Sequence, residues 1–153
     1  MMLKGIEIIK ATRKSMLNML SELNIEQLNK VPFGFNNNII WNLGHLLVSQ
    51  QGLCYKRASV PMLIEDALFE QFKPDTKPEV DLTVEEIEFI KTEFINLINQ
   101  LEIDYTNHYF ANYTPFTNRF GIEITSIDDA LKFVNFHEGI HFGYMLALRR
   151  LVK

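Results

Sequence analysis

His137 and His141 stand four residues apart. On a helix that spacing puts both imidazoles on one face, one turn apart, where they can share a metal ion. Both fall within an apolar series of Ala130, Phe133, Val134, His137, His141, Tyr144, Met145 and Leu148, so the pair is expected to face the inside of a bundle. A buried polar group without a partner costs roughly 1–3 kcal/mol, and one divalent ion would satisfy both rings. Core histidines satisfied by each other and by water, or histidines near a solvated bundle end, would also account for the pair. His45 adds a third imidazole from the most apolar stretch of the chain, IIWNLGHLLV, where Gly44 beside it leaves room for close approach. Three histidines on two inward faces match the pattern of catalytic metal sites, which have three protein ligands and one open position. No Cys, Asp or Glu at metal-ligand spacing competes with them. Imidazole-only ligation suits zinc, nickel, copper or iron, and we expect zinc first and nickel next.

The neighbouring reactive residues read as secondary. HEGIH fits the His-Glu-x-x-His pattern of zinc proteases, but only twelve residues follow His141 and none offers a third ligand. His108 reads as a loop residue. Cys54, nine residues after His45 and half a turn from its face, reads as packing. Glu138 reads as solvated, with support of the ligands as the alternative. Trp41, one turn before His45, reads as core that would line the same face.

Four long helices are needed to position these residues. The first runs from Lys4 to Leu23 on a stripe of Ile6, Ile9, Met16, Leu17 and Leu20 that Arg13 interrupts. Asn24 to Phe35, broken by Pro32 and Gly34, reads as a connection. The second helix covers Ile39 to Arg57, with Asn36, Asn37 and Asn38 as candidate N-caps. A short helical turn follows at Met62 to Phe69, then a loop from Lys73 to Asp81. Thr83 and Glu86 have capping-box spacing, so the third helix runs from Val84 to Leu101 behind Ile87, Ile90, Phe94, Leu97 and Ile98. Tyr105 to Thr125 has no sustained period, and an extended piece is expected at Gly121 to Thr125. Ser126 and Asp129 open the fourth helix, Ile127 to Leu151. This pattern predicts an all-α four-helix bundle with long connections, one domain over residues 1–153.

Composition narrows the partners. A formal net charge of -4 and a pI of about 5.6, with no cluster of Lys and Arg, argue against nucleic acid or an anionic membrane surface. The single cysteine permits no internal disulfide. MMLKGIEIIKATRK lacks the apolar run and cleavage site of a signal peptide, and no stretch reaches the ~20 apolar residues of a membrane span. A cytoplasmic protein is expected.

Two segments, FGFNNNIIWNLGHLLVSQQ and FVNFHEGIHFGYMLALRRLV, carry a resemblance to the DinB-like superfamily, which includes DinB and YfiT-like proteins. Length and element order are also similar. The resemblance implies a four-helix bundle holding a divalent metal on His45, His137 and His141. It also implies an open coordination position facing a pocket, closed by an aromatic connection such as Tyr105 to Phe120. It further implies a homodimer, and a metal-dependent transferase or isomerase that uses a low-molecular-weight thiol on a small electrophile. The alternative is a stress-related protein that binds a metal or small molecule without catalysis. A plain structural bundle is the third reading.

Overall fold

The apolar stripes become four long helices in the computed structural model, which describes residues 2–153. These are α1 (Met2–Leu20), α3 (Ile39–Cys54), α5 (Val84–Thr106) and α6 (Ile127–Val152), with the short α2 (Ile25–Asn29) and α4 (Asp66–Phe72) between them. α6 packs on α1 and α3, and α5 packs on the same two, so the four long helices form a closed ring. The architecture is the all-α four-helix bundle that the periodicity implies. None of the helices among the described residues is long and apolar enough to cross a membrane.

Local sequence chemistry sets the helix starts. Asn38, the last of the three asparagines, caps α3 by accepting from the Trp41 amide. Thr83 and Glu86 cap α5 reciprocally, and Ser126 caps α6 through the Asp129 amide. α3 is buried along its whole first half, from Ile39 to Val48, which explains why its sequence is apolar nearly all round.

Three segments differ from the sequence reading. The stretch from Asn24 to Phe35 holds α2, capped reciprocally by Asn24 and Gln27. Five residues are too few to show a period, so only the cap announces this helix. The short helix expected at Met62 to Phe69 begins at Asp66 and runs on to Phe72, whose ring is 2% exposed. Between α5 and α6 the chain forms a two-stranded antiparallel hairpin, β1 (Phe116–Thr117) with β2 (Glu123–Ile124), pairing Phe116 with Ile124. Only β2 falls in the expected extended piece.

The core has two apolar halves. One gathers Met16, Leu20, Ile39, Leu43, Phe72, Ile87, Phe94, Met145 and Leu148. The other gathers Ile6, Ile9, Cys54, Tyr55, Leu101, Leu131 and Val134. Five of the nine buried polar side chains among the described residues stand where the chain passes from one half to the other. Arg13 lies between Ile9 and Met16, His137 and Glu138 between Val134 and Met145, and Gln50 and Gln51 between Val48 and Cys54. The bundle is therefore apolar, polar, then apolar along its length.

Candidate metal centre

α3 and α6 bring the three predicted histidines together. The ligand atoms of His45, His137 and His141 all lie within 4.8 Å of one another. His45 and His137 are buried at 5% and 7% exposure, and His141 is half-buried. Nε2 of His45 stands 3.3 Å from Nε2 of His137. Two nitrogens bound to one tetrahedral zinc at about 2.0–2.1 Å are separated by about 3.3 Å. The pair thus already has the edge length of a metal coordination tetrahedron.

Hydrogen bonds on the far side of two rings fix which nitrogen is free. His45 Nδ1 donates to the Phe72 carbonyl at 2.8 Å, which leaves its Nε2 lone pair facing the cluster. His141 Nδ1 is 2.7 Å from Asn42 Oδ1. The orientation of that amide is set in turn, because Asn42 Nδ2 donates to the Asn38 carbonyl and to Asn37 Oδ1. Asn42 can then only accept from His141, and His141 presents Nε2 inward. Such outer partners orient metal-binding imidazoles and raise their basicity. Gly44 is what lets the Phe72 carbonyl reach His45. A Cβ at Gly44 would stand 2.6 Å from Cδ1 of the Phe72 ring.

Burial keeps the rings neutral. It pushes His137 down to about 3, helped by the neighbouring His141 and His45 and by Arg119. It pushes His141 down to about 4, again with His45 and Arg119 acting the same way. His45 is also lowered by burial, against the bond to Phe72 that favours its charged form, with Arg119 again adding to the lowering. Metal ligation requires neutral imidazole, so all three rings are in the required state at neutral pH.

Aromatic rings wall the cluster. Trp41 stacks on His45 with ring centroids 4.9 Å apart and planes 10° from parallel, so it lines the histidine face as its position one turn before His45 suggests. Phe133 stacks on His137 at 5.9 Å. Phe120, in the turn of the hairpin, packs edge-on against Phe133 and Phe136. The turn of the hairpin between α5 and α6 thus packs one ring away from His137.

The sequence profile of the DinB superfamily matches residues 8–145, from within α1 through all three histidines to the second half of α6. This chain belongs to the DinB superfamily. No curated protein matches it.

The remaining sequence candidates divide cleanly around this DinB bundle. Cys54 is fully buried in the apolar half away from the histidines, and burial pushes its thiol up to about 12, in keeping with packing. His108 sits at φ 57° in the turn after α5, outside the histidine cluster. Glu138 corrects the sequence reading. It is 2% exposed rather than solvated, and its partner is Arg13 rather than a histidine. Glu138 Oε1 accepts from Nε and Nη2 of Arg13 at 3.0 and 2.7 Å. Arg13 Nη1 donates to the Phe94 carbonyl at 2.6 Å, and its guanidinium lies 4.1 Å from the centre of the Phe94 ring. Burial raises the Glu138 carboxyl despite Arg13 beside it. The residue that breaks the apolar stripe of α1 is therefore half of a buried ion pair.

Sequence reasoning missed Asn42, the Phe72 carbonyl and Arg119. Asn42 lies one turn before His45 on α3, and a polar residue in so apolar a segment is the signal that could have found it. The carbonyl and the hairpin arginine leave no trace in residue periodicity.

Proposed function

We propose that this DinB-superfamily protein binds one divalent ion, zinc first and nickel next, through His45, His137 and His141. We propose further that it uses the remaining position to activate a low-molecular-weight thiol toward a small electrophile. The observation that carries the reading is the convergence of three imidazoles in which Phe72 and Asn42 turn Nε2 of His45 and of His141 inward, with no Cys, Asp or Glu in the group among the described residues. Three imidazoles and an open position are the donor set of catalytic rather than structural zinc sites. When bound, a divalent ion in such a site lowers the pKa of a thiol placed against it.

The chain's own residues supply the rest. Asn42 and the Phe72 carbonyl hold two imidazoles in one tautomer. Trp41, Phe133 and Phe120 keep the cluster apolar on its flanks. Cys54, buried and protonated, leaves the nucleophilic thiol to be a cosubstrate.

Metal content by mass spectrometry on untagged protein tests the first half. Wild type is expected to hold near one equivalent, and His45→Ala and His141→Ala to hold none. A wild type that takes up neither zinc nor nickel would overturn the proposal. The second half is tested by turnover of metal-loaded protein with cellular thiols and a panel of electrophiles. A cobalt-substituted sample whose spectrum responds to neither azide nor thiol would point instead to non-catalytic metal binding.

A further inference from the structure

The histidine cluster carries no anionic ligand of its own. All members of the group are imidazoles, and the nearest carboxylate in sequence, Glu138, is bound to Arg13. A divalent ion held there keeps its full double charge, with no carboxylate or thiolate from the chain to offset it.

A further cation stands beside it. Arg119 occupies the turn between β1 and β2. Asn118 fixes that turn, its Oδ1 accepting from the amides of Phe120 and Ile122 at 3.0 Å each, while its own amide donates to the Ile122 carbonyl. Gly121 closes the turn at φ 76°, in the left-handed region that favours glycine. The next residue, Phe120, is packed against Phe133 and Phe136, and Phe133 lies on His137. The Arg119 guanidinium sits 5.5 Å from the centre of the Phe120 ring. Through Phe120 and Phe133 this chain of contacts leads from Arg119 to His137.

Arg13 is paired with Glu138 and Arg149 with Glu22, whereas Arg57, over the Phe116 ring, and Arg150 have no carboxylate partner among the described residues. Arg119 forms no ion pair with a carboxylate among the described residues, and it is exposed.

We infer that the site selects a small molecule bearing a carboxylate, which pairs with Arg119 at the rim while a second donor atom of the same molecule occupies the open position at the histidines. The inference rests on the metal-site reading above and names the class of ligand that site takes. Arg119 is a specificity residue here, since guanidinium binds carboxylate through paired, charge-assisted hydrogen bonds.

The test compares two thiols of similar size, 3-mercaptopropionate and uncharged 2-mercaptoethanol, on the full-length cobalt-loaded protein. Their dissociation constants are read from the thiolate-to-cobalt absorbance. Wild type is expected to prefer the carboxylate thiol by about tenfold or more, the range of a charge-assisted hydrogen bond. R119Q is expected to bring that preference below about threefold without changing the affinity for 2-mercaptoethanol, and R119K to retain part of it. Circular dichroism confirms that the variants keep the helical fold. An undiminished preference in R119Q, or an equal loss of both thiols, overturns the assignment of Arg119 alone. If neither thiol alters the cobalt spectrum of any of the proteins, the metal-thiol reading fails and this inference falls with it.

Discussion

His137 and Glu138 are neighbours in sequence, both buried, and they meet opposite fates. His137 turns toward α3 and joins two more neutral bases. Glu138 turns toward α1 and meets a guanidinium that matches its charge. The first cluster has lone pairs and no cation to share them. The second has an anion and a cation in contact. One polar layer of the bundle thus holds a set of groups that wants an ion and a set that already has its own. The lesson is that burial of polar groups is not by itself a sign of a site; what distinguishes the cluster is that three neutral imidazoles converge with no opposite charge among them.

The largest effect is expected at the Arg13–Glu138 pair. Glu138→Leu leaves Arg13 buried without a counter-charge and is expected to cost about 3–5 kcal/mol, measured as a shift in the urea unfolding midpoint. Adding Arg13→Met should recover most of that loss, because well-packed apolar residues replace such pairs at little cost. The double variant should also hold as much zinc as wild type. A double variant that loses its metal would show that the pair belongs to the site after all.

Acid should act mainly on the open cluster. The folded values of His137 and His141, about 3 and about 4, lie below the unfolded value of about 6.5. The unfolded chain therefore binds more protons in between. The stability these rings contribute is complete above pH 6.5 and is lost as pH falls through that window. For metal-free protein we expect a loss on the order of 5 kcal/mol between pH 7.5 and 4.5. The raised Glu138 carboxyl works in the opposite sense, since its protonation relieves a buried charge. Unfolding curves across this range should flatten in a His137→Gln, His141→Gln double variant. An unchanged slope would assign the acid sensitivity elsewhere.

A finer probe is the hydrogen bond behind His141. Asn42→Ala removes the acceptor at His141 Nδ1 and is expected to weaken zinc binding about 10–100-fold in a chelator competition, with the fold retained. An unaltered affinity would mean that the ring keeps its orientation without Asn42. The smallest effect is expected on the solvent side of α6. A Cβ at Gly139 meets nothing within 4 Å, so Gly139→Ala should stabilise the helix by about 0.5–1 kcal/mol with metal content unchanged.

The histidine cluster was legible in the sequence because its members obey the helical period and sit in apolar company. Helix identity was legible for the same reason, and the caps at Asn38, Thr83 and Ser126 placed three starts. The Arg13–Glu138 pair was not legible. Its halves are 125 residues apart, and each alone reads as a blemish in a stripe or a solvated neighbour of a ligand. α2 was hidden by its shortness. The support of His45 was hidden because Phe72 acts through its backbone carbonyl, which every residue type possesses. Arg119 was hidden because a hairpin turn imposes no period from which to infer a direction.

The flat stacking of Trp41 on His45, at 4.9 Å between ring centres, has an optical corollary. Trp41 is the only tryptophan in the chain, so nearly all of the protein's emission under long-wavelength ultraviolet excitation originates one ring away from the cluster. A paramagnetic ion arriving there would darken that emission, whereas closed-shell zinc would at most shift its colour. The molecule therefore carries a built-in fluorescent gauge, able to report both the filling of the histidine cluster and the electronic character of what fills it.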